Sequence, residues 1–210
     1  MDFVFPILTI AAAITLAAMS PGPSFIMVAR TALAVSRRSG LGAALGMGLG
    51  AALFATLGLL GLHTLLNTVP TLYWGLKLAG GAYLIYLGWR IFRAARLPLA
   101  LNVTAERGDL PARFWAHCGL GFLTQISNPK TAVVYASIFV SLLPREINLA
   151  LGVLLVGMIF VIEGGWYAIV ALALSAERSR ITYLGWKTGI DRLAGGVMAA
   201  LGIKLLSERI

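Results

Sequence analysis

Residues 3–29 read FVFPILTIAAAITLAAMSPGPSFIMVA, a stretch with no charged side chain, interrupted at Ser20-Pro21-Gly22-Pro23. A hydrocarbon core roughly 30 Å thick takes about 20 apolar helical residues to cross, so the stretch is long enough to span one. It cannot be one regular helix. Each proline lacks an N–H and its ring clashes with the carbonyl four residues back, while Gly22 adds backbone freedom. In hydrocarbon the freed carbonyls need partners, which confines such a break to a protein-lined or watered cavity. The plainer alternatives are a simple kink or the cytoplasmic end of a short first span. A cleavable leader is not expected, because Asp2 is the only charge ahead of the run and no Lys or Arg precedes it.

The rest of the chain continues in the same manner. Of its 210 residues, 59% are hydrophobic and 12% charged, with mean hydropathy +0.88, which excludes an ordinary soluble domain. The next charge-free run, 39–76, is too long for one helix, and His63, Thr64, Asn67, Thr68, Pro70 and Thr71 supply a turn within it. A third span follows over about 72–92. Residues 93–113 carry Arg96, Glu106, Arg107, Asp109, Pro98 and Pro111 and read as a linker. A fourth apolar segment, 114–143, is broken at Asn128-Pro129-Lys130 and ended by Pro144-Arg145-Glu146. Residues 149–174 make a fifth, with Glu163 near its middle, and 187–206 a weaker sixth with Lys187, Asp191 and Arg192 at its start.

These runs predict an all-α integral membrane protein of six transmembrane helices, the first and fourth broken at proline motifs. Leu78-Ala79-Gly80-Gly81 recurs as Leu193-Ala194-Gly195-Gly196, and each copy leads to a Leu-Gly pair, Leu87-Gly88 and Leu201-Gly202. The break at Ser20-Pro21 is matched by that at Asn128-Pro129. Three spans used twice must be inverted relative to each other, the plan of many secondary transporters. The expected division is 1–92, a cytoplasmic linker at 93–113, and 114–210. Cations crowd the odd loops (Arg30, Arg37, Arg38; Arg93, Arg96, Arg107, Arg113; Arg178, Arg180) against Arg145 alone in the even ones. Positive-inside bias then puts both termini outside the cytoplasm. A re-entrant first segment would move only the N-terminus. The net charge of +9 is read as topology and anionic-lipid contact; no nucleic-acid recognition module is present.

The candidate site gathers at the breaks. Asn128 is suited to cap a new half-helix and Pro129 to open it, so the two half-helix N-termini and Lys130 form an expected seat for a substrate carboxylate. Ser20, Pro21, Gly22, Pro23 and Ser24 line one side and Asn128, Pro129 and Lys130 the other; Lys130 as a snorkelling residue at a span end is the plainer reading. Glu163 is the one mid-span acid. A charge at a helix centre costs roughly 2.5–3.5 kcal/mol, so it is expected to face protein. There it serves as counter-ion to a substrate ammonium, as a proton carrier, or as a neutral hydrogen-bonding group between helices. Trp166 and Tyr167, about one turn on, stack on substrate or pack in the core. Asp191 is a second candidate for proton coupling, or a boundary anchor paired with Arg192 or another neighbour. Lys77 and Lys187 read as interfacial anchors. Gly42, Gly46 and Gly50 share one face, admitting a close partner helix from this chain or, in a homodimer, from a second copy.

No cofactor, metal or catalytic residue is expected. Cys118 stands alone and His63 and His117 do not complete a ligand set, and neither histidine sits mid-span beside a nucleophile. A purely structural membrane protein would need neither two breaks nor a buried acid.

Ser20-Pro21-Gly22-Pro23, the Gly/Ala-rich 40–50, Lys77-Leu78-Ala79-Gly80-Gly81-Ala82-Tyr83-Leu84 through Leu87-Gly88, Asn128-Pro129-Lys130, and Gly195-Gly196 to Leu201-Gly202 together resemble the lysine-exporter/homoserine-threonine-resistance (LysE/RhtB) family over nearly the whole chain. The middle element departs from the family pattern through Gly80-Gly81. The resemblance implies a bacterial inner-membrane exporter of amino acids or their derivatives driven by the proton gradient, working by antiport with alternating access. It does not name the amino acid. A metal-ion exporter of the same superfamily is the alternative, though it would want a ligand cluster where only Glu163 is central.

Overall fold

The structure, a computed structural model, describes residues 4–68, 70–97, 113–143, 147–174 and 177–207. Among these the regular structure is eight helices and no strands: α1 (Val4–Met19), α2 (Pro23–Ala34), α3 (Arg37–Thr68), α4 (Pro70–Ala94), α5 (Phe114–Ile126), α6 (Pro129–Leu142), α7 (Leu149–Leu174) and α8 (Glu177–Ser207).

Both expected breaks are present. Gly22 caps α2 and Pro23 opens it, bending α1 and α2 by 57°. Asn128 caps α6, its side chain accepting from the Lys130 N–H at 3.0 Å, and Pro129 opens it. Proline is tolerated there because the first N–H groups of a helix have no partner within the helix. Gly22 has φ −150° and ψ −170°, extended backbone open to any residue, so the freedom expected of it goes unused. The polar residues expected to make a turn within 63–71 are helical instead, α3 running to Thr68 and α4 opening at Pro70, where proline is tolerated; residue 69 lies outside the described residues. The sixth segment begins well before residue 187, at Glu177. Residues 98–112 of the linker and the Pro144-Arg145-Glu146 stop lie outside the described residues.

Arg37–Gly61 of α3 and all of α7 are each long and apolar enough to cross a membrane, and bent α1–α2 makes a third such unit. Among the described residues the other helices fall short of that standard. The α5 and α6 helices have only 13 and 14 residues, and α8 carries Lys187, Asp191 and Arg192.

Burial departs from that of a soluble domain at both the surface and the interior. Large apolar side chains face outward, among them Phe5, Leu149, Val153, Val161 and Ile169, while Ser24, Gln125, Asn128, Glu163, Lys187 and Asp191 are buried. Exposed apolar side chains in this number mark a surface that interacts with something other than water. Inside are two apolar clusters. One gathers Ile10, Ile14, Leu84, Ile138, Phe139, Leu155, Ile159 and Met198, the other Phe25, Val28, Met47, Tyr167, Val170 and Leu174. Glu163 falls between them along α7.

Lipid tails are as apolar as leucine, so helices in a bilayer associate by close van der Waals contact, which small residues permit. Gly42, Gly46 and Gly50 bring α3 against Phe114, Cys118 and Gln125 of α5. The two helices run parallel, and the partner of this stripe is a helix of the same chain. Gly48 meets Gly164, and Leu59 lies by Gly152, so α3 and α7 are antiparallel. The α4 and α8 helices are also antiparallel, through two reciprocal glycine pairs, Gly81 with Gly202 and Gly88 with Gly195. The Leu-Ala-Gly-Gly copies align one residue out of step with this packing, because Gly81 serves in the first copy and Gly195 in the second.

Candidate functional site

The two breaks meet. Lys130, in the first turn of α6, extends its ammonium to the end of α1 and donates to the carbonyls of Ala17 at 3.1 Å and Ser20 at 2.8 Å. Those carbonyls lie at a helix C-terminus, where intrahelical donors run out and the dipole is negative, so a cation there is favoured on both counts. Lys130 therefore seals one half-helix while belonging to another. It neither snorkels to a span end nor leaves all its donors to a substrate.

From Asn128 a chain of hydrogen bonds runs through the interior. Asn128 Nδ2 donates to Ser24 Oγ at 2.9 Å, and Ser24 Oγ donates to Gln125 Oε1 at 2.7 Å. Gln125 Nε2 then donates to Glu163 Oε2 at 3.3 Å. Tyr135, one face along α6, donates its hydroxyl to Glu163 Oε1 at 3.0 Å. Each amide uses its oxygen as acceptor and its nitrogen as donor, so the directions are mutually consistent and all of them end at the carboxyl of Glu163. Five elements supply this network (α2, α5, the second break, α6 and α7), and both oxygens of Glu163 are engaged by it. A buried acid in such an arrangement is held by protein rather than by lipid.

Two cavities share the breaks. A small one of about 20 Å³ is lined by Ser20, Gly22, Ser24, Asn128, Lys130, Tyr135, Glu163 and Tyr167, room for roughly one water-sized group. A wide one of about 470 Å³ shares Ser20, Gly22, Asn128 and Lys130 with it and is lined besides by Pro21, Pro23, Pro129, Tyr83, Arg90, Lys187 and Asp191. Every sequence-predicted residue of the breaks thus borders one cavity or both, Glu163 borders the small one and Asp191 the wide one.

The surroundings of three further expected residues are as follows. Trp166 lines neither cavity and packs against the second apolar cluster; Tyr167 takes the position at the small cavity. Of the partners open to Asp191, the neighbour that pairs with it is buried Lys187, at 2.7 Å, while exposed Arg192 lies over the Phe92 ring, 5.8 Å from its centre. Lys187 is accordingly no interfacial anchor. It also donates to the Ala95 carbonyl at 3.3 Å, tying α8 to the end of α4. Gln125 and Tyr135 were missed altogether. The only signal in the sequence was a polar amide just ahead of the second break and a tyrosine within an apolar half-helix, and neither type is rare enough to stand out.

A helical membrane protein whose two interrupted helices meet at polar cavities, beside a buried acid, has the design of a solute translocator. The sequence model of the family described as LysE type translocator matches residues 15–209, and the chain belongs to that family. Its relatives include the threonine efflux protein of Escherichia coli K12, 30% identical over 202 residues, covering 96% of this chain and 98% of that protein. The threonine efflux protein of Salmonella typhi is 29% identical over 201 residues, covering 96% and 97%. An uncharacterized membrane protein of Haemophilus influenzae is 30% identical over 193 residues, covering 91% of each. No solved structure matches the chain.

Proposed function

We propose that the chain is an inner-membrane secondary transporter that exports amino acids or their derivatives by proton antiport with alternating access. The observation that carries this reading is the junction of the two breaks: Lys130 bridges one half-helix to the other between a wide cavity and the small cavity at Glu163. Membership of a translocator family and the threonine efflux relatives support amino acids as the substrate class.

Six spans in two inverted halves fit the packing. With α5 and α6 as one broken span, successive spans alternate in direction, and this alternation requires α3 to be parallel to α5 and antiparallel to α7, and α4 antiparallel to α8. The glycine contacts have those directions. The reciprocal pairs Gly81–Gly202 and Gly88–Gly195 are what a two-fold axis between α4 and α8 would generate. With both termini periplasmic, the wide cavity opens to the cytoplasm beside Arg90 and Leu97, and the substrate enters there.

In this reading Ser20 to Ser24 and Asn128 to Lys130 form the substrate seat. Glu163 carries the proton, taking it up from the outer side and surrendering it to the inner. Its donors, Gln125 and Tyr135, hold the carboxyl in place during the exchange.

The test is counterflow in proteoliposomes preloaded in turn with each member of an amino-acid panel. At least one amino acid, with threonine first in line, should drive uptake of its labelled form. Uptake no greater than in protein-free liposomes across the whole panel would overturn the proposal.

A further inference from the structure

Resting on that reading, we infer that Asp191 is the residue that receives the substrate's ammonium group, with Glu163 reserved for the proton. The chemistry of the two acids separates them. Glu163 has both oxygens engaged, one by Gln125 and one by Tyr135, and it borders a cavity of about 20 Å³, too small for an amino acid. Asp191 borders the cavity of about 470 Å³, which is large enough. Its Oδ2 accepts from Lys187, whereas its Oδ1 is buried with no hydrogen-bond partner among the described residues. A buried carboxylate oxygen left without a donor is unfavourable and uncommon in a folded protein, and an ammonium N–H is the donor that would complete it.

The opposite pole is on the same cavity wall. Lys130 has three N–H donors and gives two of them to Ala17 and Ser20, leaving one. Arg90 also borders the cavity; its exposed guanidinium lies over the Tyr86 ring, 5.7 Å from its centre. A carboxylate near Lys130 and Arg90, with an ammonium at Asp191 Oδ1, describes a zwitterionic α-amino acid. Lys187 is the positioning residue. By holding Oδ2 and the Ala95 carbonyl together it fixes which oxygen remains for the substrate.

The experiment compares labelled threonine with labelled 2,3-dihydroxybutyrate, in which a hydroxyl replaces the ammonium, in counterflow by the wild type and by Asp191→Asn, Glu163→Gln and the double variant Lys187→Met/Asp191→Asn. The double variant removes both buried charges together, so it stays informative if the lone asparagine leaves Lys187 unpaired and the protein poorly folded. The wild type should prefer threonine. Loss of one hydrogen bond to a charged group should raise the half-saturation concentration for threonine roughly tenfold to hundredfold in Asp191→Asn and in the double variant, with the preference over the hydroxy acid abolished. Glu163→Gln, whatever its exchange rate, should keep the preference for threonine over the hydroxy acid. A retained preference in the Asp191 variants, or its loss in Glu163→Gln alone, would overturn the assignment while leaving amino-acid export intact. Absence of exchange by the wild type with every amino acid would overturn export and the assignment together.

Discussion

Replacing Lys130 by methionine keeps the length and apolar stem of the side chain, keeps Pro129 and the break, and removes only the ammonium. Two hydrogen bonds disappear, to Ala17 O and Ser20 O. In soluble proteins hydrogen bonds to charged groups contribute roughly 1.5–3 kcal/mol each, but interhelical hydrogen bonds in membranes average about 0.6 and reach about 1.7 kcal/mol. The lower scale applies here, because the cavities beside the α1 terminus let water stand in for the lost donor. Two bonds on that scale give about 1–3 kcal/mol. Since each 1.4 kcal/mol corresponds to a factor of ten, the junction of the breaks should be weakened roughly 5- to 150-fold. The assay pairs initial counterflow rates with thermal unfolding in detergent. Lys130→Met should insert normally, melt earlier than the wild type, and show a higher half-saturation concentration for substrate. Lys130→Arg, which retains the charge but presents a planar fork, should lie between. A methionine variant with wild-type melting and wild-type half-saturation would refute the reasoning and make the lysine incidental to the junction.

Three further substitutions probe separate links. Gln125→Leu strips Glu163 of one donor and Ser24 of its acceptor at a cost of about 1–3 kcal/mol for each group left unsatisfied; export should fall more than tenfold at unchanged membrane abundance, measured as initial rate per inserted protein. Gly46→Val drives a side chain into the backbone of Cys118 and Phe122, so α3 and α5 must part and folded yield should drop by the equivalent of about 1–3 kcal/mol. Gly22→Ala is the contrast, because its Cβ would lie 3.4 Å from the flexible Lys130 side chain, and its yield should match the wild type.

The two breaks were legible because proline acts locally: a missing N–H and a fixed φ end a helix whatever surrounds it. Glu163 was legible for a similar reason, since a charge in the middle of an apolar run has few places to go. The glycine face of α3 was visible as a spacing, but its partner was not, because the sequence gives no contact across the 60-odd residues between Gly50 and Phe114. Directional chemistry was hidden most. That Lys130 turns back to α1, or that Lys187 and not Arg192 reaches Asp191, depends on which way two helices are rotated. Gln125 and Tyr135 gain meaning only from lying within reach of Glu163, a fact of tertiary structure alone.

The central claim is that a proton on Glu163 is exchanged against an amino acid, and it meets its most direct test in inside-out membrane vesicles with an imposed pH gradient, acidic within. For an antiporter that exports substrate, protons leaving the lumen drive the amino acid in. The wild type should accumulate labelled threonine, or the amino acid that counterflow selects, above its external concentration, and lose that accumulation when the gradient is collapsed. Glu163→Gln, which keeps the side-chain shape and cannot carry the proton, should equilibrate the substrate without concentrating it. Full accumulation by the glutamine variant would contradict the account, assign Glu163 to structure, and move the proton to another group.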